Sequence, residues 1–337
     1  MQLRVRHVLL FGVVILCRLA NVVQSLAPAD GHNGVHRRDV LAGAAASLLG
    51  PTAANAAAAA APIAVIGASG RTGALCVASC LARGLPVRAL TRSGEWQIPD
   101  TAETDNAAMN NDNVKSLLTV QACDARNRAA LNAGVAGCRG VIYAASASKK
   151  GGQANEIDNL AAVAAAQACI DAGVGRYVLI SSTATTRPKS LGYLFTNVYQ
   201  NIMAEKRLGE LGVMAEYGKK SPSAATGSYT IIRPGGLEEP KRNVVLGPSA
   251  LELSQGDALA GVVSRADLAQ VAVETALSQA SNLQNTSFEV YYTESAQPCE
   301  GRFKSFLQGD KVPRLHGDSY EALFQGLQRD GEYYVPP

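Results

Sequence analysis

One stretch, Pro62 to Leu81 (PIAVIGASGRTGALCVASCL), limits what this chain can fold into more than any other. Ile63 to Ile66 is a short apolar run with β-branched residues and reads as a buried strand. Gly67-Ala68-Ser69-Gly70-Arg71-Thr72-Gly73 follows directly, and small and apolar residues at helical spacing come after it. The glycines stand where a strand-to-helix turn that holds a pyrophosphate needs them. Gly67 lets the chain turn sharply, Gly70 lets backbone approach phosphates without a Cβ in the way, and Gly73 lets helix pack on strand. The first helical N–H groups and the positive end of the helix dipole then face the anion. A glycine triplet alone means little; a strand before it and a helix after it predict a nucleotide-binding turn.

Upstream of the turn the composition changes. Arg4 and Arg6 precede the apolar run Val8 to Cys17, and Val23-Gln24-Ser25 offers small residues for cleavage, the layout of a secretory signal peptide. The run is too short for a spanning helix. Arg37-Arg38 then precedes Val40 to Leu49, with Ala53-Ala54-Asn55-Ala56 as a second cleavage site, which is similar to a twin-arginine export signal. Residues 1–61 are therefore expected to be a targeting leader and residues 62–337 one domain. The stacked addresses resemble the presequences of plastid proteins in algae with secondary plastids. Ser25-Leu26-Ala27-Pro28 is similar to the cleavage motif of that group, with Leu26 where Phe is usual. The resemblance implies a plastid protein. A twin-arginine element would send it to the thylakoid lumen, whereas a stromal transit peptide, also basic, would leave it in the stroma; both readings stay open.

Charge and histidine content exclude several function classes. The leader holds five Arg and two acidic residues, a net of +3, and the whole chain is also +3, so the remainder balances to zero. No basic footprint for nucleic acid is left, and no span of the mature chain is expected to cross a membrane. Of four His only His316 lies beyond the leader, which argues against Ser-His-Asp or Cys-His catalysis and against a zinc site. It reads as a surface imidazole, and no metal is expected. Cys76, Cys80, Cys123, Cys138, Cys169 and Cys299 form no C-x-x-C pair and read as reduced, buried small hydrophobes.

Strands alternate with helices along the rest. Pro86 to Leu90, Ser116 to Gln121, Gly140 to Ala144, Arg176 to Ser181, Tyr229 to Arg233 and Phe288 to Tyr292 read as strands. Helices are expected over Asn155 to Ala172, over Leu191 to Leu211, from the capping sequence Ser264-Arg265-Ala266-Asp267 onward, and in the tail Gly317 to Leu327. Glu95 to Asn113 and Gly212 to Ser228 read as surface insertions. The pattern predicts an α/β fold, a Rossmann-like doubly wound and mostly parallel sheet in one domain, with ligand at the carboxyl ends of the strands.

The cofactor preference is read at the second strand end. An acid there would accept hydrogen bonds from the ribose of NAD; Arg92 stands there instead, and Arg71 lies inside the glycine turn. Two guanidinium groups suit a 2′-phosphate, so NADP is expected over NAD. Asp124 has two readings, a contact to the adenine amino group or a cap for the helix near Arg126. Ala144, Ala145 and Ser146 would leave room for the cofactor across the strand ends, with Ser181, Pro234 and Gly235 at the neighbouring ends.

GASGRTG, Asp158-Asn159-Leu160, GVGRYVLISS, Lys206-Arg207 with Glu210, YTIIRPGGL and VSRADLA together resemble the atypical short-chain dehydrogenase/reductases, and among them the NmrA-like NAD(P)-binding proteins of plastids and cyanobacteria. In catalytic members a Ser after the fifth strand positions the substrate oxygen. A Tyr donates the proton, and a Lys four residues later binds the ribose and lowers the Tyr pKa. The resemblance implies Ser182 as the Ser and Lys206 as the Lys. Ile202 stands where the Tyr belongs, and Tyr199, two turns before Lys206, is the alternative or a packing residue. Two functions follow from the resemblance: NADP(H)-dependent reduction of a small plastid metabolite, or a non-catalytic NADP(H)-sensing or assembly factor for a photosynthetic protein complex.

Overall fold

The computed structural model describes residues 61–97, 99, 115–148, 151–219, 227–238, 245–309 and 311–336. The leader, most of the Glu95 to Asn113 insertion and residues 220–226 lie outside the described residues. Strands β1 (Ile63–Ile66), β2 (Val87–Thr91), β3 (Leu118–Ala122), β4 (Gly140–Tyr143), β5 (Arg176–Ile180), β6 (Ser228–Pro234), β8 (Leu251–Ser254) and β11 (Thr286–Tyr292) make one sheet in the order β3-β2-β1-β4-β5-β6-β11-β8. All neighbours are parallel except β8, which runs antiparallel to β11 at the edge. The strand order reverses between β1 and β4, and there the crevice opens at the strand ends. Two-stranded ribbons pair β7 (Gly236–Glu238) with β10 (Val262–Ser264) and β9 (Leu259–Ala260) with β12 (Gln297–Pro298).

Helices cover both faces because the central strands are apolar on both sides. On one face α1 (Arg71–Ala82) packs with α6 (Arg265–Leu277), burying Cys76, Val77, Cys80, Leu268, Val271 and Ala272 against β1, β4 and β5. On the other lie α2 (Arg128–Val135), α3 (Ala162–Asp171) and α5 (Ile202–Gly218), with Leu131, Val135, Ala165, Ala166, Cys169 and Val213 inward. Ser264 caps α6 by accepting from the Asp267 N–H, as its sequence predicts, and α7 (Tyr320–Phe324) closes the tail.

Three expectations need correction. The helix expected over Leu191 to Leu211 is two helices, α4 (Leu191–Asn197) and α5, broken where Gln200 and Asn201 take left-handed backbone angles of 52° and 55° in φ. The Asn197 side chain accepts from the amides of Met203 and Ala204 and so starts α5 in place of an N-cap hydroxyl. The surface loop expected over Gly212 to Ser228 is helix in its first part, since α5 runs on to Gly218, and residues 220–226 lie outside the described residues. Asn155 to Ala172 begins as a π-helix, Asn155–Ala161, before α3. All six described cysteines are reduced; five are buried, and burial pushes the Cys123 thiol up to about 11.

Between β5, β6 and β11 the core holds charge. Arg233 on β6 donates to Glu210 of α5 at 2.9 and 3.1 Å and to Glu289 of β11 at 3.3 Å, all three fully or nearly fully buried. Asp257 lies in the same buried region and feels the Arg233 charge. The arginine holds Glu210 below the usual carboxylate range, whereas burial pushes Asp257 up, and burial together with the Asp257 charge pushes Glu289 up. A carboxyl group raised in the folded state binds a proton more readily than in the unfolded chain, so its stabilisation is complete below the ordinary carboxylate pKa and is lost as pH climbs through the raised value. Melting temperature should therefore fall as pH rises between about 5 and 9, and Glu289→Gln should flatten most of that fall; thermal melts across the range check it.

Candidate functional site

A groove of about 520 Å³ and a chamber of about 950 Å³ lie side by side at the carboxyl ends of the strands. Thr72, Ala144, Ala145, Ser146, Leu237 and Arg265 line both, so the two are one continuous site. The groove is built on the glycine turn. Gly67 has φ +81°, and a Cβ there would lie 2.7 Å from the Ala145 backbone. At Gly73 a Cβ would lie 2.2 Å from the Gly67 carbonyl oxygen, so only glycine lets α1 close onto the turn. Gly70 occupies the N-cap position and no side chain caps the helix, and a helix start of this kind favours an anion.

Most sequence-predicted cofactor residues meet here. Gly67, Ser69, Gly70, Arg71, Thr72, Arg92, Asp124, Ala144, Ala145 and Ser146 line the groove. Ala68 and Gly73 support the turn from behind; Ala68 is buried, and its carbonyl accepts from the Trp96 indole N–H at 3.1 Å. Asp124 lines the groove but caps no helix: Asn127 caps α2. Hydrogen bonds from the Arg126 guanidinium and amide hold the Asp124 carboxyl down at about 2. Ser181, Pro234 and Gly235 line the chamber rather than the groove.

At the junction stands an ion pair that sequence reasoning missed. Lys206 Nζ lies 2.7 Å from Asp158 Oδ1, with the lysine side chain 14% exposed and the aspartate fully buried. Asp158 also accepts from Ser146 Oγ at 2.7 Å and from the Ala147 amide at 2.8 Å. One carboxylate thus binds the lysine and the loop flooring the groove. Reach between the two helices depends on Gly209, where a Cβ would lie 2.2 Å from the Asp158 carbonyl oxygen. The sequence does not single Asp158 out, because Asn155 to Ala172 also carries Glu156 and Asp171.

Ser182 lines the chamber beside Lys206, its hydroxyl turned to the Thr183 carbonyl at 3.2 Å. Ser181 faces inward, donating to Glu210 at 2.6 Å. Asp257 accepts from the amides of Ala184 and Thr186 at 2.6 and 2.8 Å and from the Thr186 hydroxyl, holding the loop after β5 with Ala184 at φ +68°. The buried carboxylates of the core therefore grip the loop that carries Ser182. Tyr199 is not among the residues lining either space; it packs with Ala154, Ala184, Ile202 and Met203. His316 is half-exposed, 3.4 Å from Glu252, and remote from these linings. Among the described residues no group of His, Cys, Asp and Glu could hold a metal, and no helix is long and apolar enough to cross a membrane.

This fold and groove define an NAD(P)-binding protein of Rossmann type. Residues 67–279 match the NAD(P)H-binding family, and the chain belongs to it. A chloroplastic protein of Arabidopsis thaliana, itself uncharacterized, is 34% identical over 134 residues; that match covers 38% of this chain and 42% of the relative's length. Among solved structures, the oxidoreductase ylbE of Lactococcus lactis superposes with a TM-score of 0.53 at 18% identity, covering 74% of this chain and 97% of its own. A wide-type short-chain dehydrogenase/reductase of Veillonella parvula in complex with NADP gives 0.51 at 16%, covering 70% and 96%. At such identities these structures share the fold.

Gly209→Ala should destabilise the protein by about 1–3 kcal/mol through overpacking against the Asp158 carbonyl, whereas Gly218→Ala, where a Cβ meets nothing within 4 Å, should change it little. Urea unfolding of the two variants checks the difference.

Proposed function

We propose that the protein is an NADP(H)-dependent reductase of the NmrA-like type, acting on a small metabolite in a plastid. The observation that carries this reading is the continuity of the groove with a chamber large enough for a second molecule, with Ser182 and Lys206 in its wall. The residues present fit a dinucleotide: an uncapped helix start, glycines packed too closely for any side chain, and small residues across the strand ends. The amides that open α1 would hold the diphosphate and Lys206 the ribose nearest the chamber. Arg71 and Arg92 would hold the 2′-phosphate; both line the groove and no acid stands at the end of β2. The Arabidopsis relative, described as chloroplastic, supports the plastid.

When bound, NADPH supplies a hydride to an electrophilic carbon. The chain's own groups do the rest. Asp158 keeps the Lys206 ammonium aimed at the junction. Ser182 turns its hydroxyl from the Thr183 carbonyl to the substrate oxygen and fixes its orientation. Lys206 holds a proton at Nζ, offers it as a hydrogen bond while negative charge builds on that oxygen, and passes it on directly or through water. Tyr199 has no part in this relay.

A second reading, a non-catalytic NADP(H)-dependent assembly or sensing factor, is favoured by α4. Leu191, Leu194, Phe195 and Val198 share one face of that helix and are 52–86% exposed, a ridge suited to a protein partner. Incubation with NADPH and a panel of quinones, aldehydes and enones separates the two: a reductase oxidises NADPH with at least one acceptor, while binding without turnover throughout favours the factor. With an active acceptor, Lys206→Met should lower kcat/KM about 100-fold and Ser182→Ala about tenfold. Arg71→Ala combined with Arg92→Ala should weaken NADP about 30-fold and leave NAD within about twofold, since only the 2′-phosphate loses its partners; calorimetric titration reads both.

A further inference from the structure

Thr72, Ala144 and Ser146 of the chamber wall are shared with the groove; two other segments line the chamber and not the groove. One is Lys189 to Gly192, at the start of α4, and the other is Pro298 to Arg302, after β12. Both converge on Phe303, because the guanidinium of Arg187 lies 4.8 Å and that of Arg302 4.9 Å from its ring centroid. Arg187 is buried and fixed to the carbonyls of Asp257 and Gly256, so the segment leading to Lys189 is anchored.

Charge along the chamber wall is one-sided. Among the residues lining the chamber, Glu300 is the sole acid, against Lys189, Lys206, Arg265 and Arg302. Lys206 is committed to Asp158. Glu300 pairs with the Arg302 Nε at 2.9 Å, and the Arg302 side chain is 56% exposed. Residues 181–204 contain Arg187 and Lys189 and no acid at all. The lining also carries apolar groups, Leu191, Met203, Leu237, Pro298 and Cys299.

We propose that the chamber takes a substrate with an apolar body and an anionic oxyacid group, carboxylate or phosphate, against the segments that the groove does not share, and that Lys189 and Arg302 read that group. Arg302 presents donors in a fork that matches an oxyacid, and Lys189 adds a second positive charge from the other segment. The apolar groups of the lining hold the body and exclude water, which strengthens both contacts. This rests on the reading of the chamber as the substrate's half of the site.

Two probes with the same ring skeleton test it: anilinonaphthalene sulfonate, which is anionic, and phenylnaphthylamine, which is neutral. Fluorescence titration should find the sulfonate bound about tenfold tighter, a difference of one charge-assisted contact. Lys189→Ala combined with Arg302→Ala should abolish that preference and leave the neutral probe within about twofold, while Glu300→Gln should increase it. Both substituted cations are surface residues, and far-ultraviolet dichroism confirms folding. Equal affinity for the two probes in the unaltered protein overturns the inference, and so does a sulfonate preference that survives the double substitution. Displacement of the sulfonate by decanoate or by decyl phosphate, against decanol, identifies the oxyacid; displacement by decanol alone overturns the inference. The NADPH-induced rise in melting temperature reports the groove separately: its absence defeats the reductase reading, whereas lost anion preference with that rise intact defeats only the assignment of Lys189 and Arg302.

Discussion

A single buried carboxylate, Asp158, joins the parts of this site. It accepts from Lys206, Ser146 and the Ala147 amide, and so ties α5 to the loop that floors the groove. Taking both charges out of water is costly, and an ion pair of this kind contributes more to geometry than to stability. Here the cost is offset by two further hydrogen bonds to the same carboxylate, and the product is a lysine held where groove and chamber meet. The π-turn that carries Asp158 and the absent side chain at Gly209 are what allow the approach.

The chamber is held by a second set of buried charges. Arg233 binds Glu210 and Glu289, and Asp257 in the same region accepts three hydrogen bonds from the loop after β5. That loop passes through a left-handed alanine, a conformation that persists only when its surroundings impose it. Ser182 is thus fixed by groups on β6, β11 and the loop after β8, remote in sequence. Groove and chamber are positioned by different networks, which is why the glycine turn can be read alone and the chamber cannot.

What the sequence made legible was local. The β-branched runs, the glycine turn, the Ser264 cap and the order of strands and helices each depend on residues a few positions apart, and the sheet follows them within one or two residues. Groove residues from Gly67 to Ser146 were legible for the same reason. The break between α4 and α5 was not, because apolar spacing continues through Val198 and Ile202 while Asn197 supplies a cap from its side chain. Gly212 read as a loop residue but serves packing, with a Cβ position 2.4 Å from Val163. The pairing of Asp158 with Lys206 bridges two helices, and no local pattern announces it. Edge strand β8, antiparallel and short, carries Glu252 and Ser254 inward and so lacks the apolar run of the others.

A crystal structure with NADP bound tests the central claim most directly, that one continuous cleft sets a dinucleotide against Lys206 and opens on a space for a second molecule. The account predicts the diphosphate on the amides that begin α1, the nicotinamide at the junction within reach of Lys206, and the chamber open beyond it. A dinucleotide bound elsewhere, or a nicotinamide whose reactive face is closed off from the chamber, would contradict it.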